Sequence, residues 1–211
     1  MKYLLAIFTF TLSTAAFENL KIQTVKSMEP EFKVLSKALS TTKTLKANFT
    51  QSKKIKVLKR PLKSSGELIF DRAVGVYWKL TKPFESTVII DNNKLVSIDD
   101  DGKKVSIKAE DKPMLYGFTK IFLSIFSGNT EELKKHFVIY YGKKESAWEI
   151  GLTPKSIGLK KVLNKILLSG EKESVSTITL WESNGDITEI KFSDIQKAHK
   201  LSNVDEKKFE L

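Results

Sequence analysis

The sequence predicts an α+β fold that is mostly antiparallel β: about ten or eleven strands in one domain, curled towards a barrel, with a helix across the mouth. Three observations carry this. Apolar and polar residues alternate over residues 45–107 and again over 137–192, turn dipeptides punctuate both stretches, and an apolar segment of helical period sits between them. A long twisted sheet tends to close and so protect its edges. A curled sheet with a helix across it encloses a hydrophobic cavity.

The elements follow in chain order. Met1 and Lys2 precede the apolar residues 3–12 and the small residues Ser13, Thr14, Ala15 and Ala16, the order of a secretory signal cleaved near Ala16. Residues 1–16 are therefore assigned to the signal and 17–211 to a single exported domain. Residues 27–39 read as a helix: Ser27 can cap it, Glu29 and Pro30 suit its first turn, and Phe32, Leu35 and Leu39 recur on one face. A meander follows, with pairs such as Leu68 and Phe70, then Val76, Trp78 and Leu80, then Val105 and Ile107, and turns at Asn92-Asn93 and Asp101-Gly102. Next comes DKPMLYGFTKIFLSIFSGN, residues 111–129. Asp111 and Pro113 open a helix there, Gly128 ends it, and Met114, Phe118, Ile121, Phe122, Ile125 and Phe126 form its apolar stripe. That stripe either fills the core or lids a cavity. Further strands are expected over residues 137–141, 148–152, 165–168, 175–181 and 187–192, with Asn184-Gly185 as a hairpin turn.

Composition excludes more than it assigns. The chain has no cysteine, so an exported fold is held by its core alone, with no disulfide, no acylated terminal cysteine and no cysteine-ligated metal. The apolar N-terminal run is shorter than the roughly 20 residues a membrane helix needs. A net charge of +11 invites nucleic acid or acidic lipid as a partner, but export argues against nucleic acid. The lysines are scattered as on a solvated sheet face, and only SKKIKVLKR, residues 52–60, is dense. No chemistry stands out. His136 and His199 are the two histidines, no serine sits in a nucleophile elbow, no glycine-rich phosphate loop occurs, and Asp99, Asp100 and Asp101 read as a hairpin turn with Gly102. The sequence gives no reason to expect an enzyme or a cofactor.

One residue choice asks for a reason. Of 36 basic residues only Arg60 and Arg72 are arginine, and Arg72 falls in the turn of SSGELIFDRAVGVYWKLTKPFES. From the residues alone it pairs with Asp71 or Glu67. The stretch also carries a pattern: Phe49-Thr50-Gln51, then Gly66-x-Leu68 leading to Arg72, then Trp78 and Pro83, with Asp205 and Phe209 near the end. In these features the chain resembles the periplasmic outer-membrane lipoprotein carrier family, the LolA-like proteins. Ala73 stands where that family commonly has proline, and the region around it looks like a divergent branch, some of whose members are thought to serve other exported lipids.

The resemblance implies an incomplete, half-open antiparallel barrel with a helical lid over a cavity for acyl chains, and no catalysis. It implies a cavity from Phe49, Leu68, Phe70, Trp78, Leu80, Trp148 and Ile150, a lid from Met114, Phe118, Ile121, Phe122, Ile125 and Phe126, and Arg72 as the latch between strand and lid. An arginine suits that place because its planar fork can hold several backbone carbonyls at once. The implied partners are an acylated lipoprotein or other exported lipid, an inner-membrane ABC-type releasing complex and an outer-membrane acceptor, with the carrier a monomer in the periplasm. The alternative is an exported β-rich module that binds protein or polysaccharide and has no lipid cavity.

Overall fold

The computed structural model describes residues 23–24, 29–91, 94–108, 121 and 123–210. The expected signal segment, the Asn92-Asn93 turn and Met114, Phe118 and Phe122 lie outside the described residues. The described chain forms β1 (Gln23–Thr24), α1 (Glu29–Ser40), β2 (Thr44–Lys54), β3 (Leu62–Asp71), β4 (Gly75–Lys82), β5 (Ser86–Ile90), β6 (Lys94–Ile98) and β7 (Lys104–Lys108). Then come α2, helical at 121 and 123–126, α3 (Thr130–His136), β8 (Phe137–Lys144), β9 (Ala147–Pro154) and α4 (Ile157–Lys160). The chain ends with β10 (Leu163–Glu171), β11 (Ser174–Glu182), β12 (Ile187–Ala198), α5 (Asn203–Glu206) and a 3-10 turn (Lys207–Phe209).

All the described strands join one antiparallel sheet in the order β1-β8-β9-β10-β11-β12-β2-β3-β4-β5-β6-β7. The order does not close, so the barrel is incomplete. The described strands number twelve, and the one beyond the expected ten or eleven is the two-residue β1 against β8. The two meanders are stitched at β12 and β2, which pair from Ile187↔Lys54 to Ala198↔Thr44.

Directly opposed residues in an antiparallel sheet share a face, so the register shows what each face carries. One row crosses Tyr141, Ile150, Leu168, Ile178 and Ile190; another crosses Phe192, Phe49, Gly66 and Leu80. This inner face meets Phe32, Leu35 and Leu39 of α1 and Ile121, Ile125 and Phe126 of α2 in one buried cluster. Each fully buried Phe, Leu or Ile there stabilises the fold by about 1.5–3 kcal/mol. The outer face has a smaller cluster, Ile69, Tyr77, Ile89 and Val96, covered by Leu201 and Phe209 of the C-terminal segment.

Candidate functional site

The site is built from a floor and a roof. On the floor Phe49, Leu68, Phe70, Trp148 and Ile150 are buried, and Trp78 and Leu80 are partly buried against them. Phe49 stacks on Trp78 with ring centroids 3.9 Å apart. Gly66 makes that stack possible: a Cβ there would lie 1.8 Å from the Lys79 carbonyl oxygen and 2.9 Å from Phe49 Cζ. Trp148 is fixed by its indole N–H, which donates to the Lys172 carbonyl at 2.9 Å.

The roof is α1 together with α2. Phe126 reaches down between Phe70, 6.0 Å away, and Phe192, 5.8 Å away and edge-on. Phe32 meets Tyr141 edge-on at 5.7 Å. Under α2 the space between roof and floor is taken up by Phe126, Phe70 and Phe192 themselves. Beside them is a crevice of about 20 Å³ edged by Leu39, Leu45, Ala47, Phe126, Val175 and Phe192, too small for a ligand. A larger open recess of about 810 Å³ lies at the edge of this core, between α1 and the β8–β9 and β10–β11 turns, with the roof residue Leu35 and the floor residues Tyr141 and Trp148 in its lining. The roof members Phe32, Leu35 and Leu39 carry no sequence signal beyond recurring on one helix face. Their spacing marks a buried face but not what it covers.

Arg72 sits in the β3–β4 turn, where its backbone N–H donates to the Lys43 carbonyl at 2.9 Å. Its Nη2 donates to the carbonyls of Ser40 at 2.6 Å, Thr42 at 3.1 Å and Ser127 at 2.8 Å, and its Nε reaches Thr42 at 3.4 Å. One guanidinium thereby joins the turn to the end of α1 and to the residue after α2. Both helix ends present carbonyls without a partner inside the helix, at the negative end of the helix dipole, where a cation is favoured. Gly128 lets the two ends approach: it holds φ +62°, and a Cβ there would lie 2.7 Å from the Ser40 nitrogen. The carboxylates that compete for Arg72 in sequence are engaged elsewhere. Asp71 accepts from Thr44 Oγ1 at 2.7 Å and from the N–H of Ala73 and Val74, while Glu67 binds Lys208 at 2.9 Å.

His136 faces Glu132 at 3.3 Å, and His199 is on the surface. Among the described residues no group of three His, Cys, Asp or Glu side chains is placed to hold a metal, and no helix is long and apolar enough to cross a membrane.

The fold has relatives. The family model "Outer membrane lipoprotein carrier protein LolA" matches residues 40–211. An outer-membrane lipoprotein carrier protein of Dechloromonas aromatica (strain RCB) is 29% identical over 162 residues, 75% of this chain and 74% of that protein. One from Legionella pneumophila (strain Corby) is 29% identical over 168 residues, 80% of each chain. Among solved structures, a LolA superfamily protein from Nitrosomonas europaea aligns over 86% of this chain and 96% of its own at 9% identity, with a TM-score of 0.45. With its model matched from the end of α1 to the last residue, the chain belongs to the outer-membrane lipoprotein carrier family, LolA.

Proposed function

We propose that the protein is a periplasmic carrier that takes the acyl chains of lipoproteins or related exported lipids between floor and roof and ferries them from the inner to the outer membrane. At about 0.8 kcal/mol per CH2, a chain of about 16 carbons gains roughly 12 kcal/mol on leaving water, so acylated cargo needs an apolar shelter to cross an aqueous compartment. A shelter that only gained this energy would not let go. The observation that carries the reading is the manner of closure: an apolar roof against an apolar floor, with one arginine on three backbone carbonyls at the ends of α1 and α2. In this reading the roof's self-packing competes with cargo, Arg72 is the latch, and the buried Phe49, Leu68, Phe70, Trp148 and Ile150 with Ile121, Ile125 and Phe126 become the acyl surface once the roof lifts. An inner-membrane ABC-type complex loads the carrier, an outer-membrane acceptor unloads it, and no step needs catalysis.

The test is solvent extraction of the purified exported protein with mass spectrometry of the extract, wild type beside Arg72→Leu, together with uptake of a fluorescent fatty-acyl probe. Acyl lipid should co-purify and rise in the variant. Clean extracts and no probe uptake by either protein would leave the filled interior as a plain core and favour a module that binds protein or polysaccharide.

A further inference from the structure

The long exposed apolar side chains are gathered at one end of the sheet. Among the described residues every exposed Leu, Ile or Phe stands there: Leu58 (46% exposed), Leu62 (54%), Phe84 (71%) and Ile157 (77%). Register fixes the shared end. Leu62 opens β3 opposite Lys53 at the close of β2, Lys82 near the close of β4 opposes Ser65, and Phe84 follows in the next turn. Ile187 opens β12 opposite Lys54, and Ile157 lies just past Pro154, which opposes Phe137 at the start of β8. Val57 and Val162 are exposed at the same end, and elsewhere among the described residues the exposed large apolar residues are the shorter Val34, Val74, Val105, Val138 and Val204.

These tips are held to one another. The Lys56 N–H donates to Asp186 Oδ1 at 3.0 Å, tying the β2–β3 loop to the β11–β12 turn. The Ser183 N–H donates to the Val162 carbonyl at 3.3 Å, tying that turn to the β9–β10 connection. Four segments, 53–63, 82–85, 155–163 and 182–187, thus form one rim, and they carry ten cations against three carboxylates. The three carboxylates are already matched, Glu182 and Asp186 by Lys53 at 2.7 and 3.8 Å and Glu85 by Lys79 at 3.1 Å. Lys54, Lys56, Lys59, Arg60, Lys63 and Lys82 are exposed, with no carboxylate partner among the described residues. The acidic turn Asp99 to Asp101 is at this end too, but it joins β6 to β7 at the sheet's far edge, outside the basic arc.

Apolar tips flanked by unmatched cations are the chemistry of an anionic bilayer interface: the tips enter the boundary of head group and acyl chain while the cations sit over phosphates. Nucleic acid would use the cations and leave the tips in water. We propose that this rim is a docking face for an anionic phospholipid bilayer, with Phe84, Leu62, Leu58 and Ile157 entering the interface and the Lys54–Lys63 loop and Lys82 on the head groups. Docking of this kind goes beyond the carrier reading and needs no cargo. It would set the protein directly on a leaflet.

The test is flotation of the purified protein with phosphatidylglycerol-containing vesicles and with phosphatidylcholine vesicles at low ionic strength. Binding is expected to the first and not the second, and to fall with added salt. Each cation near the surface is worth about fivefold in partition, so Lys59→Ser with Arg60→Ser should weaken it roughly 25-fold. Phe84→Ser should weaken it roughly tenfold, and Phe84→Trp should gain emission quenched by brominated acyl chains. Unchanged melting temperatures show that the exposed substitutions leave the fold intact, and unchanged fatty-acyl probe uptake by Phe84→Ser separates docking from cargo binding. Absence of binding to phosphatidylglycerol vesicles overturns the proposal. So does binding that survives Phe84→Ser and Ile157→Ser at full strength, which would be head-group electrostatics with nothing inserted.

Discussion

A single methyl group on Gly66 tests the floor of the half-barrel. It would meet the Lys79 carbonyl oxygen at 1.8 Å on one side and the Phe49 ring on the other. Neither can retreat cheaply, because Lys79 is laddered to Glu67 and Thr87 and Phe49 is stacked on Trp78. Gly66→Ala should therefore cost roughly 3 kcal/mol, read by urea unfolding. Glu149 makes the opposite prediction. Its Oε2 is buried with no partner among the described residues, and burial raises its carboxyl above the ordinary value, partly offset by the Ser169 hydroxyl. An acid whose folded pKa is raised loses stability as pH climbs above its unfolded pKa, bears the full cost above the folded one, and costs nothing when both states are protonated. Glu149→Gln should raise the melting temperature at neutral pH and leave it unchanged near pH 3, and a loss at neutral pH would refute this. At this scale the sequence is legible for side chains and blind to backbone. Arg72 stood out as a rare arginine and Gly66 as part of a motif, but its partners at Ser40, Thr42 and Ser127 are carbonyl oxygens, which every residue has.

Among elements, the C-terminal segment is held by ion pairs as well as by Leu201 and Phe209 over the outer face. Lys46 meets Asp205 at 3.0 Å, Lys208 meets Glu67 at 2.9 Å and Asp205 at 3.6 Å, and Phe209 lies 6.0 Å from Tyr77 over the outer face. Burial opposes both charges, but the Lys46 and Ser202 hydrogen bonds hold the Asp205 carboxyl below its ordinary 3.8, and Glu67 holds Lys208 above 10.5. A lowered acid contributes stability above its unfolded pKa and loses it as pH falls through the folded one; a raised base contributes below its unfolded pKa and loses it as pH rises through the folded one. The segment should stay docked between those limits and fray first below pH 3.8, seen as amide exchange in residues 201–209 outrunning that of β3 and β4. Phe209→Ala should widen the difference at every pH. The alternation that made most strands readable explains what was missed. β12 runs on to Ala198 past the expected end at Phe192 because a register shift between Ser193 and Gln196, with Asp194 at φ 52°, breaks the period of two. α4 is four residues long, and its Ile157 points into solvent, so no apolar face announced it.

For the whole molecule, the half-barrel with its roof is a two-state device if the carrier reading holds. In that case the closed state seen here is the competitor of cargo. Apparent affinity is then the intrinsic affinity scaled by the fraction of molecules that are open, so whatever stabilises closure weakens binding by the same free energy. Arg72 is the residue on which to separate the two, because its side-chain hydrogen bonds go to backbone carbonyls at the ends of α1 and α2. Its hydrogen bonds to carbonyls are charge-assisted but exposed, and their joint loss is worth about 2 kcal/mol. Arg72→Leu should then lower the melting temperature of the empty protein by roughly 4–8 °C while tightening fatty-acyl probe binding by about 30-fold. Arg72→Lys, a single ammonium that cannot span three carbonyls in the same geometry, should fall between wild type and leucine on both scales. An arginine that merely braced a static core would give the first effect without the second. Calorimetry and probe titration on the three proteins decide between them: a fall in stability matched by a gain in affinity, in the same order, is the signature of closure competing with cargo, and a fall in stability with no gain in affinity is the signature of a plain fold.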